Sequence, residues 1–142
     1  MIGHHRQAVM MASLAPERAS SAAVKALAAK IQAAQQPEIN TMSGWLRAWG
    51  KQVPADTMDH GMAGQQDMPG RMTEAEMDDL NGATGTGFDT MFLTMMIKHH
   101  QGAVEMAQTE QQKGRNTAAK ALAAKIVKDQ TAEISTMRSL LG

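Results

Sequence analysis

MIGHHRQAVMMA (residues 1–12) returns as MIKHHQGAVEMA (96–107), and this recurrence decides how the chain reads. The offset of 95 residues holds without a gap: KALAAKI (25–31) lies on KALAAKI (120–126), and EINTM (38–42) on EISTM (133–137). Residues 1–46 and 96–141 share 22 identities. Alanine-rich helices can match by accident, but paired histidines at a constant offset point to an internal duplication. Within each copy the apolar residues recur at helical spacing and break once. The break is Lys113-Gly114-Arg115-Asn116 in the second copy and Ala15–Ser21, around Pro16, in the first. Each copy therefore reads as an αα-hairpin. Two of them give one all-α domain, an antiparallel four-helix bundle of ferritin-like kind built from duplicated hairpins.

The hairpins span residues 1–49 and 88–142. In the second, helices are expected over Phe88 to about Gln112 and Thr117 to about Leu141, with Gly114 stopping one and Asn116 or Thr117 capping the next. In the first, the second helix runs from about Ser21 to Trp49. Pro37 lies inside it, removes the bond to the Ala33 carbonyl and predicts a local kink. Between the hairpins, residues 50–87 hold Pro54, Pro69 and seven glycines and read as a linker. Within it Thr73-Glu74-Ala75-Glu76 has capping-box spacing, which predicts a short helix over 73–80. The second copy also has FDTMFLTM (88–95) before its MIKHH, whereas nothing precedes Met1. Met1 reads as the start of a fragment, with two helical turns and any export signal expected upstream.

Composition narrows the function. The 142 residues include 14 Met, no Cys, no Tyr, two Phe and two Trp. Without Cys there is no disulfide scaffold, zinc–thiolate site or thiol nucleophile. Fourteen basic residues balance 14 acidic ones, so no global basic field holds nucleic acid or anionic lipid. No apolar run is long enough to span a bilayer.

At about 100° per residue, His99 shares a face with Phe88, Phe92, Met95, Ala103 and Met106, and His100 and Met96 lie beside them. Both histidines thus fall in the apolar arc. His4 and His5 do the same beside Met1 and Met11. The second helix of each copy puts a carboxylate and an amide on its core face, Glu38 with Gln35 and Glu133 with Gln130. A buried carboxylate is costly unless paired. Antiparallel helices rise equally from their turn, which places Gln130 and Glu133 level with Met96, His99 and His100. By the same count Gln35 and Glu38 stand beside Met1, His4 and His5. Each hairpin is expected to hold its own cluster of Met, two His, Gln and Glu.

Such a cluster suits a metal. Thioether sulfur is a soft, neutral ligand and imidazole a borderline one, so together they select Cu(I), with Ag(I) as the other candidate, over Mg, Ca or Zn. Adjacent histidines point about 100° apart, so one of each pair is free to bond Glu38 or Glu133 as an orienting partner. The linker adds Met58, His60, Met62, Met68 and Met72, with Asp59, a tract that could wrap a soft ion without a prebuilt pocket. Met42 and Met137 read as plain core. The competing reading is a metal-independent helical scaffold or partner-binding module, with buried histidines bonded to Glu38 and Glu133. An enzyme is disfavoured: no Glu-x-x-His di-iron motif, nucleophile elbow or P-loop occurs, which leaves only copper-dependent redox chemistry open. Association with a second copy is left open as well.

At M-I-x-H-H-x-x-A-V-x-M-A the chain resembles the DUF305 family, whose best-understood members are CopM-like copper-binding proteins. QQPEINTMSGWL (35–46) and DQTAEISTMRSLL (129–141) are similar to the family's second helix. The resemblance implies an extracytoplasmic protein, periplasmic, secreted or lipid-anchored, that binds Cu(I) or Ag(I) for sequestration, resistance or handover. Carried over by position, it implies His99, His100, Met96 and Met106 as ligands, with His4, His5, Met1 and Met11 in the first copy.

Overall fold

The computed structural model describes residues 1–55 and 68–142. In chain order the helices are α1 (Ile2–Ser13), α2 (Ala15–Arg18), α3 (Ala22–Ala48), α4 (Glu74–Gly82), α5 (Gly85–Lys113) and α6 (Thr117–Leu141). Helix α1 packs chiefly on α3, and α5 on α6, as two αα-hairpins require. Four long helices thus form the expected bundle, with α2 and α4 as short additions.

Local chemistry explains most boundaries. The Ser21 and Asn116 side chains accept from the N–H groups of Val24 and Ala119 at the starts of α3 and α6. The capping box at α4 forms in both directions: Glu76 N–H donates to Thr73 Oγ1 at 3.2 Å, and Thr73 N–H to Glu76 Oε2 at 2.7 Å. Pro16 occupies the first turn of α2, where a missing N–H costs nothing. Helix α3 remains one helix through Pro37.

Two details differ from the sequence reading. Helix α5 starts at Gly85, three residues before Phe88. Gly114 ends α5 in an extended conformation, not a left-handed one. Its lack of a side chain matters for space: a Cβ there would meet the Glu110 carbonyl oxygen at 2.5 Å.

The core divides into unequal halves. One half is closed around Phe88, Phe92, Met11, Met96, Leu80 and Met137, all fully buried. Phe88 and Phe92 stack one helical turn apart, with centroids separated by 5.7 Å. In the other half, Ala107, Ala123 and Ile126 form a smaller cluster beside a cavity of about 720 Å³. The cavity walls are the repeat counterparts of the closed core. Met1, Met42, Met106, Leu122 and Ile126 stand where Met96, Met137, Met11, Leu27 and Ile31 stand in the closed half.

Candidate metal centre

Helix spacing puts His5 against Glu38 and His100 against Glu133. His5 Nε2–H donates to Glu38 Oε2 at 2.7 Å, and His100 Nε2–H to Glu133 Oε2 at 2.6 Å. Both bonds are buried and join the two helices of one hairpin. The level-partner count places each carboxylate correctly, because helical rise is fixed. A carboxylate accepts, so each ring donates from Nε2. Glu38 also meets Lys125 Nζ of the other hairpin at 3.4 Å. The Lys125 ammonium is held above its ordinary range, chiefly by its bond to Asp129.

His4 and His99 meet each other. Their rings stack with centroids 3.6 Å apart and planes inclined by 28°. His4 Nε2–H donates to the Pro69 carbonyl at 3.0 Å. Neither ring nitrogen of His99 makes a well-formed hydrogen bond among the described residues, and only a weak contact with the His4 backbone offsets its burial. Nδ1 of His4, His5 and His100, both amide atoms of Gln35 and Oε1 of Gln130 are likewise buried without partners. All four rings are fully buried. Burial pushes His4 down to about 3, with the adjacent His5 adding to the shift. Burial also lowers His5 in spite of its bond to Glu38, and holds His99 well below the ordinary imidazole range. These three rings are therefore neutral at pH 7, with lone pairs available inside a dry interior.

The methionines are arranged differently from the one-cluster-per-hairpin expectation. Met1 and Met106 line the cavity together, with Met42 and Met68. Met11, Met95 and Met96 share the closed core. The repeats thus exchange partners. The α1 residues before the histidines lie with α5 residues after them, and the reverse holds at the other end, as two antiparallel helices crossing at His4 and His99 require. Met42 belongs to the cavity wall, whereas Met137, read the same way, is core. Trp45 and Trp49 stack at 6.3 Å on the cavity wall. Met58, Asp59, His60 and Met62 lie outside the described residues. Among the described residues no three His, Asp or Glu side chains converge to hold a metal ion. The arrangement offers no hard-ligand cage. It offers neutral nitrogen and sulfur donors, with two buried carboxylates one bond away.

Several residues around the site escaped the sequence reading. Gln7 bonds the backbone of Met72, Gly102 receives the backbone of Pro69 and Gly70, and Asp89 accepts from Ser20 N–H and Ser21 N–H. For Gln7 and Gly102 a signal existed: they occupy one repeat position and differ completely in size and polarity.

A family model described as Domain of unknown function (DUF305) matches residues 1–141. The chain belongs to the DUF305 family. Solved structures agree with this DUF305 assignment. The chain is similar to a putative secreted DUF305 protein from Streptomyces coelicolor at 34% identity and a TM-score of 0.87, covering 99% of this chain and 86% of that one. A DUF305 fragment from Deinococcus radiodurans matches at 32% identity and 0.87, covering 100% and 90%. CopM in its Cu(II)-bound form matches at 33% identity and 0.83, covering 99% and 90%. CopM also has Cu(I)-bound and Ag-bound structures. No curated protein matches the chain. Among the described residues no helix is long and apolar enough to cross a membrane.

Proposed function

We propose that this DUF305 protein binds copper, with Cu(I) favoured and Ag(I) accepted, in an extracytoplasmic compartment, and that it sequesters or hands over the ion without catalysis. One observation carries the reading: His99 is fully buried and neutral, with no well-formed hydrogen bond on either ring nitrogen, against His4 with a bare Nδ1. Leaving such groups buried without partners costs stability, and a cation would satisfy them. The methionine-lined cavity supplies soft donors, and Glu38 and Glu133 supply countercharge through His5 and His100. The copper- and silver-bound states of CopM support the same cargo. The secreted description of the Streptomyces coelicolor relative supports the compartment.

The scaffold reading also has an observation in its favour, since His5 and His100 are bonded to Glu38 and Glu133 as it requires. It leaves His4 and His99 unexplained. Titration with Cu(I) under reducing conditions decides between the two. Binding tighter than micromolar that is lost in His99→Ala/His100→Ala supports the metal reading. Weaker binding, or binding unchanged in that variant, overturns it.

A further inference from the structure

Residues Met68–Met72 cross the seam between α5 and α1 directly above the stacked imidazoles. At the α5 end the strap lies on bare backbone: a Cβ at Gly102 would meet the Pro69 carbonyl oxygen at 1.8 Å and Gly70 N at 2.7 Å. Gly70 has φ +72°, and a Cβ on it would meet the Lys98 carbonyl oxygen at 2.3 Å. At the α1 end the Gln7 carboxamide clamps Met72. Its Nε2 donates to Met72 O at 3.0 Å, and Met72 N–H donates to its Oε1 at 2.8 Å. Between these anchors the Pro69 carbonyl accepts from His4 Nε2–H. Positions 7 and 102 are equivalent in the two repeats. At this pair of positions one hairpin grips the strap and the other makes room for it.

From this geometry we infer that Met68–Met72 is a hinged roof over His4 and His99, and that Gln7 is the positioning residue that keeps it shut. With the strap seated neither ring has solvent access, and lifting it opens a path for a soft cation. The same strap places Met68 on the wall of the methionine-lined cavity, so lifting it joins the thioether donors to the imidazoles. This rests on reading His4 and His99 as the ion's nitrogen donors, although the roof itself is testable without metal.

The test uses the full chain. Metal-free modification by diethyl pyrocarbonate is followed on the peptide carrying His4 and His5. Silver association, with a silver salt as the probe, is followed by tryptophan fluorescence. Loss of the two Gln7 bonds in Gln7→Ala should raise both rates roughly ten- to a hundredfold. Gly102→Ala should act in the same direction, by pushing the strap from its other end. Hydrogen exchange of the Met72 amide in the unaltered chain is a third readout. A local opening lets it exchange faster than amides in the middle of α5. Modification rates equal to the unaltered chain in both variants overturn the roof, as does a Met72 amide that exchanges only with global unfolding. No silver binding by the unaltered chain sinks the metal reading alone, and the modification and exchange results still decide the roof.

Discussion

His4 and His99 hold the same position in two copies of one motif, 95 residues apart, and their rings stack at 3.6 Å across the seam between those copies. The two sites abut, so the two imidazoles share one buried volume. Each is kept neutral by burial. Two cationic rings at that distance would repel in a medium that screens poorly. Burial and mutual repulsion thus both favour the neutral stack in the closed fold.

Acid should therefore unfold the protein from the histidines inward. His4, His5 and His99 all titrate below their unfolded value of 6.5 in the fold, His4 at about 3. When the folded pKa of a base is lowered, the unfolded chain takes up the proton first as pH falls. Stability is then complete above about pH 6.5 and declines below it, by up to about 1.4 kcal/mol per pH unit for each such ring. Urea unfolding at about pH 7.5 and about pH 5 measures this. Equal stability at the two values contradicts neutral burial, and His99→Phe should reduce the slope by one ring's share.

The His100–Glu133 bond should be worth about 1.5–3 kcal/mol, the range for a buried hydrogen bond to a charged group. A double-mutant cycle with His100→Ala and Glu133→Ala isolates that coupling. The His5–Glu38 cycle should give a similar value. The extra contact of Glu38 with Lys125 adds little, because the lysine side chain is 56% exposed. Coupling below about 0.5 kcal/mol in either cycle would mean that the carboxylate does not hold the ring.

The hairpins were legible because helical geometry is local. Rise per residue fixed the level of Glu133 beside His100, and the wheel put both histidines in the apolar arc. The meeting of the two hairpins was not legible. It depends on how side-chain volumes interlock between helices far apart in sequence, and that joined Met1 to Met106 and Met11 to Met96. The strap was hidden for another reason. Residues 68–72 have no period, and their seat is set by a glycine on α5 and a glutamine on α1, each unremarkable alone. The mismatch of Gln7 with Gly102, one of four in the twelve-residue motif, marked the place.

Asp89 should prove a structural anchor between α5 and the start of α3. Its Oδ1 and Oδ2 accept from Ser20 N–H at 3.0 Å and Ser21 N–H at 2.9 Å, tying the start of α3 to α5. Asp89→Ala strands both donors and should cost about 2–4 kcal/mol. Asp89→Asn keeps one acceptor oxygen and should cost about half as much. Thermal unfolding checks the order of the three proteins, and amide exchange at Ser20 and Ser21 checks the cause. An alanine variant as stable as the unaltered chain would remove Asp89 from this role.

Met137 and Met42 end the matching pentapeptides EISTM and EINTM, so their sequence environments are nearly the same. Their surroundings in the fold are not. Met137 is fully buried in the core closed by Phe88 and Phe92, whereas Met42 faces the cavity. Truncating a side chain in a packed core costs its transfer energy plus that of the void left behind, about 2–5 kcal/mol for Met→Ala. At the cavity wall the space is already open, so only part of the transfer term applies, roughly 1 kcal/mol. Met137→Ala should therefore be the more destabilising by at least about 1 kcal/mol in urea unfolding. Equal costs would mean that the cavity closes in solution and that the two halves of the bundle pack alike.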